Sequence, residues 1–259
     1  GVQHRTIWCN KSDVGRARQG GRWCIFEDDP SLANINLVMG LSELYTSVHL
    51  LNSEKTMDDM LIEGPQGISI VPSASGISEC ANLNDLQRQR LISALAELED
   101  RFDYLIIDTA AGIGREVIDF VRSAQSVLLV ITPEPTSLTD TFALIRVLLR
   151  QGCKHPLYAV VSQASDYSHS WKVFSRFQGA VSKYLKTRVR YLGYIGDDQN
   201  LKTAVCEQRP VLLHRPNTHA SRCFKVLADV VKKQFSQAGQ HHGFSEYWRM
   251  LSVIQTPVT

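Results

Sequence analysis

The chain has 259 residues, of which 44% are hydrophobic and 21% charged, a composition typical of a globular protein with room for one full α/β domain. Its 28 Lys and Arg nearly balance its 26 Asp and Glu, giving a net charge of +2, which argues against a nucleic-acid-binding protein. The sequence has no run of about eighteen apolar residues and no signal peptide, which argues against a membrane-spanning chain.

Six cysteines are scattered along the chain without a CxxC pair. Their spacing fits neither a zinc site nor a small disulfide scaffold. Several lie within apolar runs, so we expect reduced core cysteines in a cytoplasmic protein. They are Cys9, Cys24, Cys80, Cys153, Cys206 and Cys223.

Short apolar, β-branched segments alternate with segments of helical periodicity. Strands are predicted at residues 22–26, 68–72, 104–108, 127–132, 157–162 and 191–195, and helices at 84–99, 115–123, 137–151 and 169–186. The first helix is predicted from the spacing of Leu86, Leu91, Leu95 and Leu98. Strands that are apolar along their whole length are typical of a parallel sheet. The predicted fold class is therefore α/β, with a mostly parallel sheet and helices on both faces.

Polar residues collect where several predicted strands end. Asp108 and Thr109 end the run YLIIDT, the acids at 27–29 end another strand, and Ser162-Gln163 end a third. Parallel sheets bind ligands beyond the carboxyl ends of their strands, so a binding site is predicted at this edge. Two other interpretations stay open: a helix-capping role for Asp108 and a solvated loop face for the acids at 27–29.

Five segments, in this order, resemble the MinD/ParA family of P-loop ATPases, and within it the FlhG/FleN branch. They are LANINLVMGL (32–41), EGPQGISIVPSASG (63–76), FDYLIIDTAAGI (102–113), TPEPTSLTDTFALI (132–145) and RVRYLGYIGDD (188–198). The resemblance implies a P-loop NTPase domain at residues 1–236, with ATP and Mg²⁺ as cofactors and ATP hydrolysis as the activity.

The resemblance also implies roles for single residues. Asp108 matches the catalytic switch II aspartate that holds a metal-bound water, and Gly112 lets its loop respond to the γ-phosphate. Asp29 matches the catalytic aspartate that positions the attacking water. Glu27 replaces the family's first switch I aspartate, and Pro30-Ser31 replace a Leu-Gly pair in a loop that must move.

The family's phosphate loop is altered in this chain. Residues 1–10, GVQHRTIWCN, align with a GVGKTTxxxN pattern whose glycines expose backbone N–H groups to the phosphates. Gln3, His4 and Arg5 then replace the glycine, the lysine and the Mg²⁺-binding threonine. If the alignment is shifted by one residue, Arg5 and Thr6 match the Lys-Thr of the pattern, but Asn10 no longer matches its asparagine. The implied nucleotide ligands here are Gly1, Arg5 and Thr6, with Thr6 and Asp108 as metal ligands.

The family's first strand and its signature lysine would precede Gly1, and they are expected to be missing. A frameshift, a truncated reading frame or decay into a pseudo-ATPase would each give this pattern. Histidine is mostly neutral at pH 7, and the arginine fork cannot simply replace a lysine point charge. Very weak ATP turnover is therefore predicted.

On the base side of the implied nucleotide site, Ser162-Gln163 stand where the family more often has Asn-Gln. A serine hydroxyl makes fewer hydrogen bonds than an amide. Arg209 and Pro210, with the loop at 197–200, are implied to close the base pocket, and a plain surface loop is the open alternative.

Residues 237–243 are predicted to form a linker to a tail at 244–259. In this tail Phe244, Tyr247, Trp248 and Leu251 share one face of a short helix. The resemblance implies weak attachment of the tail at the inner face of the cell membrane, because relatives use a C-terminal amphipathic helix. Packing of the tail onto the domain is the alternative.

By resemblance the protein would regulate flagellar number as an ATP-driven homodimer, with an FlhF-type GTPase and a FleQ-type transcription activator as partners. Two alternatives stay open: a catalytically inactive pseudo-ATPase that serves as an interaction module, and a ParA-type partitioning ATPase. The second would need a stronger basic patch than the small clusters at 183–190 and 232–233, which argue against direct DNA binding.

Overall fold

A computed structural model describes residues 5–10, 21–27, 49–50, 52, 54–71, 86, 90, 93–94, 97–98, 101–109 and 113–235. Its strands are β1 (Arg5–Asn10), β2 (Trp23–Glu27), β3 (Ile62–Glu63), β4 (Ser69–Val71), β5 (Tyr104–Thr109), β6 (Ser126–Ile131), β7 (Leu157–Ala164) and β8 (Val189–Gly196). Its helices are α1 (Met57–Met60), α2 (Arg115–Ser123), α3 (Pro135–Arg150), α4 (Tyr167–Ala180), α5 (Gln199–Cys206), α6 (Val211–His214) and α7 (His219–Phe235). A π-helical segment, Val181–Leu185, continues α4, and a 3₁₀ turn covers Pro65–Gly67.

The described strands form one sheet in the order β3-β4-β2-β5-β1-β6-β7-β8. The pairs β2–β4, β2–β5, β6–β7 and β7–β8 are parallel, whereas β3 is antiparallel to β4. All six predicted strands are present, with ends displaced by at most two residues, and α2 has the predicted bounds. The predicted α/β fold class is confirmed.

Residues 5–10 differ from the expectation of a phosphate loop. They form β1, which lies between β5 and β6 and is antiparallel to both. Arg5 and Thr6, predicted in the loop, are the first two residues of this strand. Thr, Ile and Trp at 6–8 favour extended backbone, and a strand here satisfies the backbone groups of β5 and β6 that face it. This antiparallel strand is not the parallel one that the resemblance implies before Gly1.

Helices cover both faces of the sheet. On one face the main core joins sheet residues such as Ile107 and Leu129 to Phe120 of α2, Ile145 of α3 and Phe174 of α4. On the other face α7 packs against β7 and β8 through Ala220 and Val231, which contact a cluster that includes Tyr158, Val160, Leu192 and Ile195. The alternation of side chains along each strand supplies both cores.

Side-chain caps start several helices, among them α1 and α4. At α1, Thr56 Oγ1 accepts a hydrogen bond from the Asp59 N–H (3.3 Å), and the Asp59 carboxylate accepts one from the Thr56 N–H (2.9 Å). At α4, the Asp166 carboxylate accepts a hydrogen bond from the His169 N–H (2.8 Å). Each cap satisfies a donor that the first turn leaves open.

The helix predicted at 84–99 is described only at some positions, all of them helical. Ala94 and Leu98, four residues apart, are buried in the main core. Leu86, which is helical as predicted, is 56% exposed, so the buried face of this helix does not extend to it. Leu91 and Leu95 lie outside the described residues.

Three of the predicted core cysteines, Cys24, Cys153 and Cys223, are buried free thiols, whereas Cys206 is exposed. Burial raises the pKa of the Cys24 thiol to about 12. The other two cysteine side chains are not described. No helix of the described residues is long and apolar enough to cross a membrane.

Candidate functional site

β2 and β5 end, and β1 begins, at the same edge of the sheet. In the strand register Glu27 is the partner of Asp108. Thr6 is the partner of Asp108 from the other side, and Arg5 is the partner of Thr109. Oδ1 of Asp108 and the Thr109 side chain are buried. The fold therefore brings the backbones of three predicted site residues, Arg5, Thr6 and Asp108, side by side.

The end of β6 adds a buried hydroxyl to this edge. The Thr132 N–H donates to Ser137 Oγ, 2.9 Å away in the first turn of α3. Thr132 Oγ1 is itself buried and has no hydrogen-bond partner within the described part of the chain. A buried hydroxyl without a partner costs free energy, so this atom marks a place that a polar ligand could occupy.

The ends of β7 and β8 bring Ser162 and Gln163 close to the loop at 197–198. Ser162 is half-buried and Gln163 is exposed, with Gln163 in the left-handed region at φ 58°. The Asp197 N–H donates to the Ala164 carbonyl (2.9 Å), and the Asp197 carboxylate contacts Lys202 Nζ at 2.8 Å. Gln163 therefore faces solvent beside this loop.

Asp198 connects three elements at this corner. Its Oδ1 accepts a hydrogen bond from the Asn200 N–H at the start of α5, and its Oδ2 accepts one from the Ala220 N–H in α7, both at 2.9 Å. The Ala220 hydrogen bond is the main reason that the pKa of Asp198 lies below its ordinary value. Since β8 ends two residues earlier, this one carboxylate fixes α5 and α7 relative to the sheet.

Arg209 and Pro210 lie in the turn between α5 and α6. Arg209 is exposed, and Pro210 is the N-cap of α6. A different arginine makes the side-chain contacts in this loop: Arg215 donates to Asn200 Oδ1 (3.1 Å) and to both oxygens of Glu207 (3.0 and 3.2 Å). Sequence reasoning missed Arg215, because its partners lie 15 and 8 residues away, too far for a contact between neighbouring turns of one helix.

The remaining predicted site residues, Gly1, Asp29 and Gly112, lie outside the described residues. The structure places Arg5, Thr6 and Asp108 together at the centre of the edge, Ser162 and Gln163 two strands further along, and Arg209 and Pro210 beyond β8. The described residues hold no group of three His, Cys, Asp or Glu side chains that could bind a metal. A Thr6–Asp108 metal site therefore stays a prediction.

The direction of β1 decides whether a phosphate loop fits. A P-loop joins the carboxyl end of a central strand to a helix, so that its N–H groups meet the phosphates at the ligand-binding edge. Here β1 ends at Asn10, the register partner of Tyr104, where β5 begins. The end of β1 thus lies opposite the edge that carries Asp108, and residues 5–10, as a strand, do not have the backbone of the family's phosphate loop.

Comparison with known proteins gives the family. No protein-family model matches the chain. The chain is 35% identical over 220 residues to the antiactivator FleN of Pseudomonas aeruginosa, covering 85% of this chain and 77% of FleN. It is 25% identical over 222 residues to the flagellum site-determining protein YlxH of Helicobacter pylori, covering 83% of this chain and 72% of YlxH.

Solved structures of MinD share the fold. MinD of Pyrococcus furiosus matches with a TM-score of 0.63 at 21% identity, over 82% of this chain and 86% of that one. MinD of Pyrococcus horikoshii, solved with Mg-ADP, matches with a TM-score of 0.63 at 20% identity, over 85% and 88% of the two chains. At this identity the likeness shows the fold alone. Together with the FleN match, it means that the chain belongs to the MinD/ParA ATPase family, in the FlhG/FleN branch.

Proposed function

We propose that this protein regulates flagellar number, as a relative of the antiactivator FleN, and acts through protein contacts with very little ATP turnover. The observation that carries the first part is the FleN match, which extends over most of both chains. An FleQ-type transcription activator and an FlhF-type GTPase are the proposed partners, in the cytoplasm and at the inner face of the cell membrane.

The second part of the proposal rests on β1. With residues 5–10 in a strand and not in a phosphate loop, a nucleotide with Mg²⁺ would depend on strand-end side chains such as Asp108, Thr132 and Ser162. Backbone N–H groups and a lysine supply most of the phosphate affinity in P-loop proteins, so we expect weak nucleotide binding. An ATP-driven homodimer is correspondingly not expected, and the pseudo-ATPase alternative gains support.

The experiment is complementation of a Pseudomonas aeruginosa strain that lacks FleN. Flagella per cell are counted by electron microscopy after expression of this chain or of its Asp108→Ala variant, with protein levels matched by immunoblot. We expect both to restore the parent strain's count, and the purified chain to release phosphate from ATP at the rate of a no-enzyme control.

An unchanged flagellar count at matched protein level would contradict the regulatory function. Restoration by the native chain but not by Asp108→Ala, or phosphate release at the rate of FleN itself, would contradict the proposed independence from ATP. The two parts of the proposal can therefore fail separately.

One observation favours the ParA-type alternative. Residues 141–196 carry nine Lys and Arg against a single acid, Asp166, a stronger basic segment than the overall charge suggests. A partitioning ATPase should retard a 30-base-pair DNA duplex at about 0.15 M salt, where the Debye length is about 8 Å. The proposed regulator should not.

A further inference from the structure

The side of the sheet formed by its outermost strand β8, called the β8 edge below, is strongly cationic. Six exposed cations lie on α4, on the π-helical segment and the turn after it, and along β8: Lys172, Arg176, Lys183, Lys186, Arg188 and Arg190. None of them forms an ion pair with a carboxylate of the described residues. Over 141–196 the formal charge is +9 − 1 = +8. Cations in a last helical turn can simply complement the helix dipole, but Lys172 and Arg176 lie mid-helix.

The opposite edge of the sheet is acidic. Glu54, Asp58, Asp59 and Glu63 are exposed within ten residues around α1 and β3, with Lys55 as the one cation of that stretch. Asp58 pairs with Arg101, and Glu54 lies 4.0 Å from His49. With Lys55 and Arg101 counted against the four acids, this edge keeps a formal charge of 2 − 4 = −2. Residues 1–140 as a whole contain 20 acids and 11 Lys or Arg, a net charge of 11 − 20 = −9.

Strand order keeps these charges apart within one molecule. The edges β3 and β8 are separated by seven strand spacings, or about 34 Å at about 4.8 Å each. That is roughly three Debye lengths at 0.1 M salt. The acidic and basic edges of one molecule therefore barely attract each other, whereas edges of two different molecules can meet directly.

The basic edge also presents exposed aromatic rings. Tyr167, Trp171 and Tyr184 are 59%, 46% and 66% exposed. Trp171 and Tyr167 stand edge-on to Tyr191 of β8, with ring centroids 5.4 and 6.4 Å apart, so these rings are held in place at the sheet edge. Aromatic side chains and arginines are enriched at the centres of protein interfaces.

We propose that the partner of the cationic β8 edge is a second copy of this chain, whose acidic β3 edge docks against it head to tail. The contact uses different surfaces on the two copies, so it can repeat and form open chains. It does not involve the carboxyl edge of the sheet, and it is independent of the proposed flagellar function.

Sedimentation velocity of the full chain without nucleotide tests the proposal, at about 20 mM and about 500 mM NaCl. We expect an average mass that rises with protein concentration at low salt and a monomer at high salt. Lys172→Glu/Arg176→Glu should remove self-association, as should Glu54→Lys/Glu63→Lys.

The matched control is Lys225→Glu/Lys233→Glu, which makes the same change in net charge on exposed positions of α7. It should associate like the native chain, and circular dichroism should show all variants folded. A monomeric chain at low salt overturns the proposal. A monomer that retards the 30-base-pair DNA duplex would show that the basic edge binds DNA and not a second copy. Equal loss in the α7 control also overturns it.

Discussion

At the scale of single residues, the carboxyl edge is organised by polar side chains that bind backbone groups of other elements. Asp198 accepts hydrogen bonds from α5 and α7, and Ser137 Oγ accepts one from Thr132 at the end of β6. Such bonds fix where strand ends and helix starts lie. Thr132 Oγ1 departs from this rule, because it is buried without a partner in the described chain.

Replacing Thr132 by valine should raise the free energy of unfolding by about 1 kcal/mol, because the substitution removes an unsatisfied buried hydroxyl at nearly constant volume. The matched control is Thr141→Val. Thr141 is also buried, but its Oγ1 donates to the Ser137 carbonyl at 2.9 Å, so that variant should lose about 1 kcal/mol. Urea denaturation measures both. A loss of stability in Thr132→Val would mean that its hydroxyl is satisfied.

Asp198→Asn should lower the free energy of unfolding at pH 7 by about 1–2 kcal/mol, since charged acceptors bind N–H groups more strongly than neutral ones. The pKa of Asp198 is lowered chiefly by the Ala220 hydrogen bond. Its contribution is therefore present above the unfolded-state pKa of about 3.9 and is lost as pH falls through the lower folded value.

Urea denaturation at pH 7 and below pH 3 checks this prediction for Asp198. The difference between the native chain and Asp198→Asn should shrink on acidification. Asp229→Asn, at an exposed position of α7, should show no difference at either pH. A pH-independent loss in Asp198→Asn would mean that packing, and not charge, is responsible.

At the scale of elements, the contact between β8 and α7 holds the loop that carries Asp198. Gly196 ends β8 directly against the His219 ring, and a Cβ atom at Gly196 would overlap Cδ2 and Nε2 of that ring. His219 also lies near Tyr194, with ring centroids 6.0 Å apart. Glycine is therefore required here by close approach of the helix to the strand.

Gly196→Ala should lower the free energy of unfolding by about 1–3 kcal/mol, because α7 must shift to relieve the overlap. Adding His219→Ala should recover most of this loss, since the clashing ring is then absent. A urea double-mutant cycle measures the coupling. If the two losses simply add, the Gly196 position is not limited by the His219 ring.

At the scale of the whole molecule, the sheet determines which side chains lie close together. Asp108, Thr132 and Ser162 lie at the ends of their strands, at one edge of the sheet. The central strand β1 is antiparallel to both of its neighbours, β5 and β6. The sheet also places the exposed cations of α4, the π-helical segment and β8 at one end of the strand order and the acids around α1 at the other end. This arrangement supports the proposed role through protein contacts.

Much of the fold could be read from the sequence, because strands and helices follow from local periodicity. The runs at 104–107 and 127–131 are apolar, and both lie in strands whose residues are buried or partly buried in the structure. Leu86 lies in a helix as predicted but is exposed, because helical spacing alone does not say which leucines a neighbouring element covers. Arg215 was missed because its partners come together only when the loop from 198 to 218 folds.

The sequence by itself determined the parallel α/β class, the bounds of most elements and the family resemblance, because each depends on residues that are close along the chain. Only the tertiary structure decided three further features: the direction of β1, the joining of α5 and α7 by Asp198, and the position of acidic and basic segments at opposite sheet edges. The physical reason is that strand order and strand direction are set by hydrogen bonds and packing between residues far apart in sequence, about which local patterns carry no information.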